Sequence, residues 1–124
     1  MELNLDTGEG HYQIRAYAKD FIQVNDKKIR HSLIIMPNQL IDPWPPHCIA
    51  DLTTDNLQTI VDLHPSIVLL GSGENLAFPD PAVLNMFYQQ KIGIEVMNNG
   101  AACRTYTVLM SEGRKVAAAL LIAQ

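Results

Sequence analysis

Cysteine, basic charge and long apolar runs are all scarce in this chain, and each scarcity removes a class of function. Cysteine occurs twice in 124 residues, at Cys48 and Cys103, far apart and in no paired motif. Both read as reduced thiols rather than as a disulfide framework. Nine Lys and Arg stand against thirteen Asp and Glu, a net charge of -4. A general phosphate-backbone binder needs a basic face, so no nucleic-acid partner is expected. No segment approaches the roughly twenty apolar residues of a membrane span; the longest candidate, Val116 to Ala123, is far shorter. Membrane insertion is therefore not expected. The opening Met1-Glu2-Leu3-Asn4-Leu5-Asp6 has no basic region and no apolar core, and it is too acidic for a mitochondrial presequence. The expected location is the cytoplasm.

What is present is an ordinary globular composition, 48% hydrophobic and 18% charged. A chain of this length buries roughly two-thirds of its unfolded surface, enough to fold as one domain over residues 1–124 without a metal or disulfide. The polar stretch Met1 to His11 reads as a frayed or loosely docked lead-in. Tyr12 to Tyr17 then alternates, with Tyr12, Ile14 and Ala16 on one side and Gln13, Arg15 and Tyr17 on the other. That period of two predicts a strand. Phe21 to Val24 and Lys28 to Met36 follow as strands two and three of an antiparallel meander with one wet face. Gln39 to Ile41 and Cys48 to Ala50 are further short strand candidates.

From there strands and helices alternate. Thr53 or Thr54 can N-cap a helix whose face carries Leu57, Ile60, Val61 and His64, and Pro65 ends it. Ile67 to Leu70 is a solid apolar run, as for a strand covered on both faces. Asp80-Pro81 starts a second helix with Val83, Leu84, Phe87 and Tyr88 as its buried stripe. The closing stretch reads as strand Ile92 to Met97, turn Asn98-Asn99-Gly100, helix Ala101 to Glu112, Gly113, and strand Val116 to Ala123. Ala102, Cys103, Tyr106, Leu109 and Met110 form that helix's inward face. The fold class is thus α/β: a single three-layer domain whose mixed central sheet has a βαβαβαβ C-terminal part behind an N-terminal antiparallel β meander.

No catalytic residue is identified. Leu69-Leu70-Gly71-Ser72-Gly73 begins like a dinucleotide-binding turn, but position 76 is Leu and Phe78-Pro79 interrupts the helix that should follow. No cofactor is expected. His11, His31, His47 and His64 are scattered, with no second pair at ligand spacing, so no metal is expected. Ser72 lacks the first glycine of a nucleophile elbow. Trp44, held in Asp42-Pro43-Trp44-Pro45-Pro46, reads either as a lid on the core or as a pocket wall.

A ligand site is placed by geometry. In open α/β sheets ligands gather beyond the carboxyl ends of strands where connections diverge. Two such ends carry polar, glycine-bearing turns, Gly71-Ser72-Gly73 and Asn98-Asn99-Gly100. If their strands are neighbours, Ser72, Gly73, Asn98, Asn99 and Arg104 form a crevice under Trp44. Arg104 near a helix start is unfavourable with the helix dipole. It therefore calls for a carboxylate partner, Glu74 or Glu95, or for an anionic ligand. Cys103, on the buried stripe, reads as a small apolar residue more readily than as an activated thiol.

The closing run Gly93-Ile-Glu-Val-Met97-Asn-Asn-Gly-Ala-Ala-Cys-Arg-Thr-Tyr106, the block Glu112-Gly-Arg114-Lys-Val-Ala-Ala-Ala, the Trp44 loop and Val68-Leu-Leu-Gly-Ser-Gly73 together resemble one small family. It is the Mth-domain family of mitochondrial complex I assembly factor three and the adipogenesis-associated Mth-domain protein, with many bacterial and archaeal members of unknown function. The resemblance spans nearly the whole chain. It implies a three-layer α/β domain with a mixed sheet, no established enzymatic activity, and, for the mitochondrial members, work through protein contacts in complex I assembly. Carried over by position, its motif residues are Trp44, Gly71, Gly73, Gly93, Met97, Ala101, Arg104, Tyr106 and Arg114. The family commonly has Asp-Thr where Asn98-Asn99 stands and Asn where Thr107 stands, departures that suit a retained scaffold better than a retained catalytic group. Two functions remain open: a non-enzymatic, bacterial cytosolic protein-interaction or assembly-type domain with an unidentified protein partner, or a small-molecule or anion-binding protein, an enzyme included, using the crevice.

Overall fold

The computed structural model describes residues 11–124. The predicted lead-in Met1 to His11 lies, apart from His11, outside the described residues. Strands β1 (Ile14–Ala18), β2 (Phe21–Val24) and β3 (Lys27–Ile29) form a small antiparallel sheet in that order. Strands β4 (Leu33–Met36), β5 (Gln39–Ile41), β6 (Ile67–Gly71), β7 (Gly93–Met97) and β8 (Val116–Leu120) form a five-stranded sheet in the order β5-β4-β8-β6-β7. β6 runs parallel to both β7 and β8, while β4 runs antiparallel to β5 and β8. Three helices complete the elements: α1 (Thr54–Val61), α2 (Pro81–Gln89) and α3 (Asn99–Ser111).

The central strands read as unbroken apolar runs because each feeds two cores, alternate residues pointing to opposite faces. Ile34, Met36, Val68, Leu70, Ala117, Ala119 and Leu121 pack on one side with Trp44, with Leu57 and Ile60 of α1, and with Phe87 of α2. Leu33, Ile35, Leu69, Val116, Ala118, Leu120 and Ile122 pack on the other with Ala102, Cys103 and Tyr106 of α3 and Ile22, Val24 and Ile29 of the small sheet. The result is three layers: α1 and α2, the five-stranded sheet, then α3 with the small sheet. That is the α/β architecture with a mixed sheet read from the sequence.

Several local expectations are corrected. Lys28 to Met36 is not one strand. It breaks over residues 30–32, where Ser32 is fully buried and spends its polar atoms on distant backbone. Ser32 O accepts from Trp44 N at 2.8 Å, and Ser32 Oγ accepts from Ile122 N at 2.8 Å. The chain there passes from the small sheet to the large one. Cys48 to Ala50 is not a strand either; a 3-10 turn runs over Ile49–Asp51. α1 stops at Val61, and His64, at φ 55, leaves its face. Tyr88 is 56% exposed rather than buried, so α2 fully buries only Phe87.

α2 covers one face of the sheet between β6 and β7, and α3 covers the other between β7 and β8. Opposite faces are what right-handed crossovers require when the first steps outward and the second steps back past β6. The carboxyl ends of β6 and β7 are therefore a point where the connections diverge.

Candidate functional site

At that point the two glycine-bearing turns lie side by side, because Gly71 pairs with Met97 in the parallel ladder. Backbone bonds continue past the strands: Ser72 N donates to Met97 O at 2.9 Å, and Asn99 N to Gly73 O at 2.8 Å. The Asn99 carboxamide adds two more bonds. Its Oδ1 accepts from Gly73 N at 3.1 Å and its Nδ2 donates to Leu121 O at 2.8 Å. Asn99 is 6% exposed, so these bonds are shielded from water. Gly71 makes room for them: a Cβ there would lie 2.4 Å from Asn99 Oδ1 and 2.8 Å from Leu120 Cδ2.

α3 starts two residues earlier than its composition suggests, with Asn98 as N-cap accepting from Ala101 N at 2.9 Å. Beside this helix start is an open hollow of about 290 Å³ lined by Tyr17, Lys19, Gly73, Glu74, Asn98, Asn99, Gly100 and Arg104, with Ala18. Gly73, Asn98, Asn99 and Arg104 are thus brought together. Trp44 and Ser72 are not. Trp44 is 1% exposed in the core on the α1 and α2 side, where its Nε1 donates to Asn56 O at 3.3 Å. Of its two alternatives the core position is the one occupied. Ser72 ties its own loop, Oγ donating to Asn75 O at 2.7 Å and accepting from Ala77 N at 3.1 Å.

Arg104 has neither of the carboxylate partners named from the sequence; among the described residues it makes no salt bridge. It donates instead from Nη1 to the Tyr17 hydroxyl at 2.6 Å, an acceptor that carries no charge of its own. Cys103 is 1% exposed. Burial pushes its thiol up to about 12 against the opposing charge of Arg104, so it is a neutral thiol at physiological pH rather than a nucleophile. Burial also pushes the Tyr106 hydroxyl up; it donates to Tyr12 O at 2.7 Å and pins the start of the small sheet.

Sequence reasoning missed Tyr17 and Lys19; it named Glu74 only as a partner for Arg104 and Gly100 only as a residue of the turn. Tyr17 falls on the outward side of a period-two strand, and nothing local shows that α3, 87 residues later in the chain, supplies its partner. Among the described residues no group of three His, Cys, Asp or Glu side chains could hold a metal ion, and no helix is long and apolar enough to cross a membrane.

The family described as "Protein of unknown function (DUF498/DUF598)" matches residues 14–121. NADH dehydrogenase (ubiquinone) 1 alpha subcomplex assembly factor 3 of Xenopus tropicalis is 28% identical over 110 residues, which are 87% of this chain and 60% of that protein. This chain thus spans less than two-thirds of the assembly factor's length. The 13 kDa major membrane protein of Francisella tularensis is 25% identical over 108 residues, 86% of this chain and 88% of that one. A Bordetella pertussis protein solved by NMR, a Mth938-like domain, superposes with a TM-score of 0.82 at 28% identity, covering 98% of this chain and 92% of that one. The chain belongs to the DUF498/DUF598 family, the family its closing motif resembles.

Proposed function

We propose that this DUF498/DUF598 member is a non-enzymatic protein-interaction domain of the assembly type. The observation that carries this is the outer face of α2. Pro81, Leu84 and Tyr88 fall at helical spacing and line a shallow surface groove of about 440 Å³ with Ala82 and Asn85. Phe78, in the loop leading to this helix, is 66% exposed. Apolar side chains grouped on one exposed element mark contact surfaces more often than isolated ones do, and aromatic anchors supply much of an interface's energy. Similarity to a complex I assembly factor supports the same reading. In a quantitative pull-down from the native lysate, Tyr88→Glu and Phe78→Glu should lose a stoichiometric partner that Val108→Glu, at an exposed site on α3, retains. Equal recovery by all three variants would overturn the α2 surface. Cytoplasmic placement is proposed with it; recovery of the protein in the membrane fraction counts against that.

A second reading is favoured by the hollow beside α3. Arg104 and Lys19 line it together at a divergence point of the sheet, which suits a small anion. Chemical-shift movement at Gly73 and Gly100 on addition of acetate tests it, and silence at both excludes it.

A further inference from the structure

The Tyr17–Arg104 hydrogen bond is a wall between two hollows, and both residues line each of them. The first is the polar hollow of Lys19, Glu74, Asn98, Asn99 and Gly100. The second, about 490 Å³, is lined by Ile14, Arg15, Ala16, Cys103 and Thr107. Its character is mainly apolar, and the neutral Cys103 thiol keeps that side of it uncharged at physiological pH. The first volume lies just below the range for small-molecule pockets and the second within it. The wall lies low over the helix because residue 100 is glycine. A Cβ there would come within 3.1 Å of Tyr17 Cε1 and 3.3 Å of Arg104 Nη1.

We propose that the two hollows are one site for an amphipathic monoanion, an alkanoate whose carboxylate sits at Arg104 and Lys19 and whose hydrocarbon tail lies along Ile14, Ala16 and Thr107. This deepens the anion-site reading and rests on it. Arg104 gives one N–H edge to Tyr17, and the guanidinium has five donors in a planar fork, so an edge remains for a carboxylate in the two-bond geometry such pairs favour. Glu74 lines the polar hollow as well. With Lys19 and Arg104 it leaves a single net positive charge there, which matches a monoanion and disfavours a doubly charged phosphate. The apolar hollow adjoins the same guanidinium, so a tail attached to the bound head passes over the Tyr17 ring into it. An inorganic anion would leave that surface in water.

The test is titration of the full chain, followed by NMR, with acetate, butanoate, octanoate, octylamine and phosphate. Each methylene buried should tighten binding about fourfold, the factor corresponding to ~0.8 kcal/mol. Octanoate, with four more methylenes, should therefore bind roughly two hundredfold more tightly than butanoate and shift Ile14, Ala16 and Thr107, which acetate leaves in place. Octylamine should bind at least about tenfold more weakly than octanoate, since Arg104 and Lys19 repel it. Arg104→Gln should lose octanoate and acetate together. Thr107→Trp, which fills the apolar hollow from an exposed helix position, should lose octanoate and keep acetate. Arg104-dependent binding of every anion with equal affinity overturns the tail and leaves the anion site standing. No shift with any anion overturns both. Octanoate binding that Arg104→Gln leaves unchanged overturns the head.

Discussion

Asn99 joins three backbone segments with one side chain. Its carboxamide bonds Gly73 N and Leu121 O, and its own N–H bonds Gly73 O. Replacing it by alanine leaves the Leu121 carbonyl and the Gly73 amide without those partners. A buried polar group left unsatisfied costs about 1–3 kcal/mol, so Asn99→Ala should destabilise the fold by roughly 2–3 kcal/mol in urea unfolding. Gly71→Ala should be costly as well, because its Cβ would strike Asn99 Oδ1. The double variant should cost less than the sum of the two, since removing the carboxamide removes one of the clashes. Strict additivity would show that the two residues do not share this space. At this scale the sequence marked Asn98, Asn99 and Gly71 as turn residues and singled out the odd charge at Arg104. It could not show that Asn99 faces inward as a latch, because its partners lie 26 and 22 residues away along the chain. Nor could it name Tyr17 as the acceptor for Arg104, since a neutral phenol across the fold leaves no trace in local pattern.

The helices were legible where a local cap writes their ends. Thr53 caps α1 in a reciprocal box: Thr53 Oγ1 accepts from Asn56 N, and Asn56 Oδ1 accepts from Thr53 N, each at 3.1 Å. Thr53→Ala should cost about 1 kcal/mol, measured by thermal or urea unfolding, while Thr54→Ala, inside the first turn, should cost less. Equal costs would place the cap elsewhere. Asp80 caps α2, accepting from Ala82 N at 2.9 Å, with Pro81 behind it, as read from the dipeptide. The strands were legible in type but not in division. Lys28 to Met36 reads as continuous although Arg30-His31-Ser32 interrupts its apolar pattern; three polar residues alone do not tell a wet strand edge from a change of sheet. The break comes from Trp44 and Ile122, whose amides take the Ser32 oxygens. Tyr88 was placed in the core from spacing alone, and spacing cannot tell which apolar positions of a helix the sheet is wide enough to cover.

Across the whole molecule, Asp42 ties the link following β5 to the small sheet. It pairs with Lys27 at 3.1 Å and with His31. Burial raises its carboxyl, but the hydrogen bonds from His31 and Lys27 and their charges outweigh burial and hold it below its ordinary 3.8. The unfolded chain therefore binds this proton first as pH falls. The stabilisation is complete above the ordinary value and is lost as pH drops through the lower folded value. The stability gap between the wild type and Asp42→Asn, measured by urea unfolding at pH 6 and again below pH 3.8, should narrow on acidification; a gap that stays constant would show that the carboxylate charge does not join the layers. The sequence by itself determined the fold class, the two-sided burial of the central strands and the polar turns at the ends of β6 and β7. These follow from period, punctuation and the length of apolar runs, all of which act between near neighbours. Only the tertiary structure decided the strand order β5-β4-β8-β6-β7, the placing of Trp44 on the face away from Arg104, and the meeting of Tyr17 with α3 above Gly100. Strand order and layer assignment depend on which distant surfaces bury each other, and that choice is made by the free energy of the assembled core.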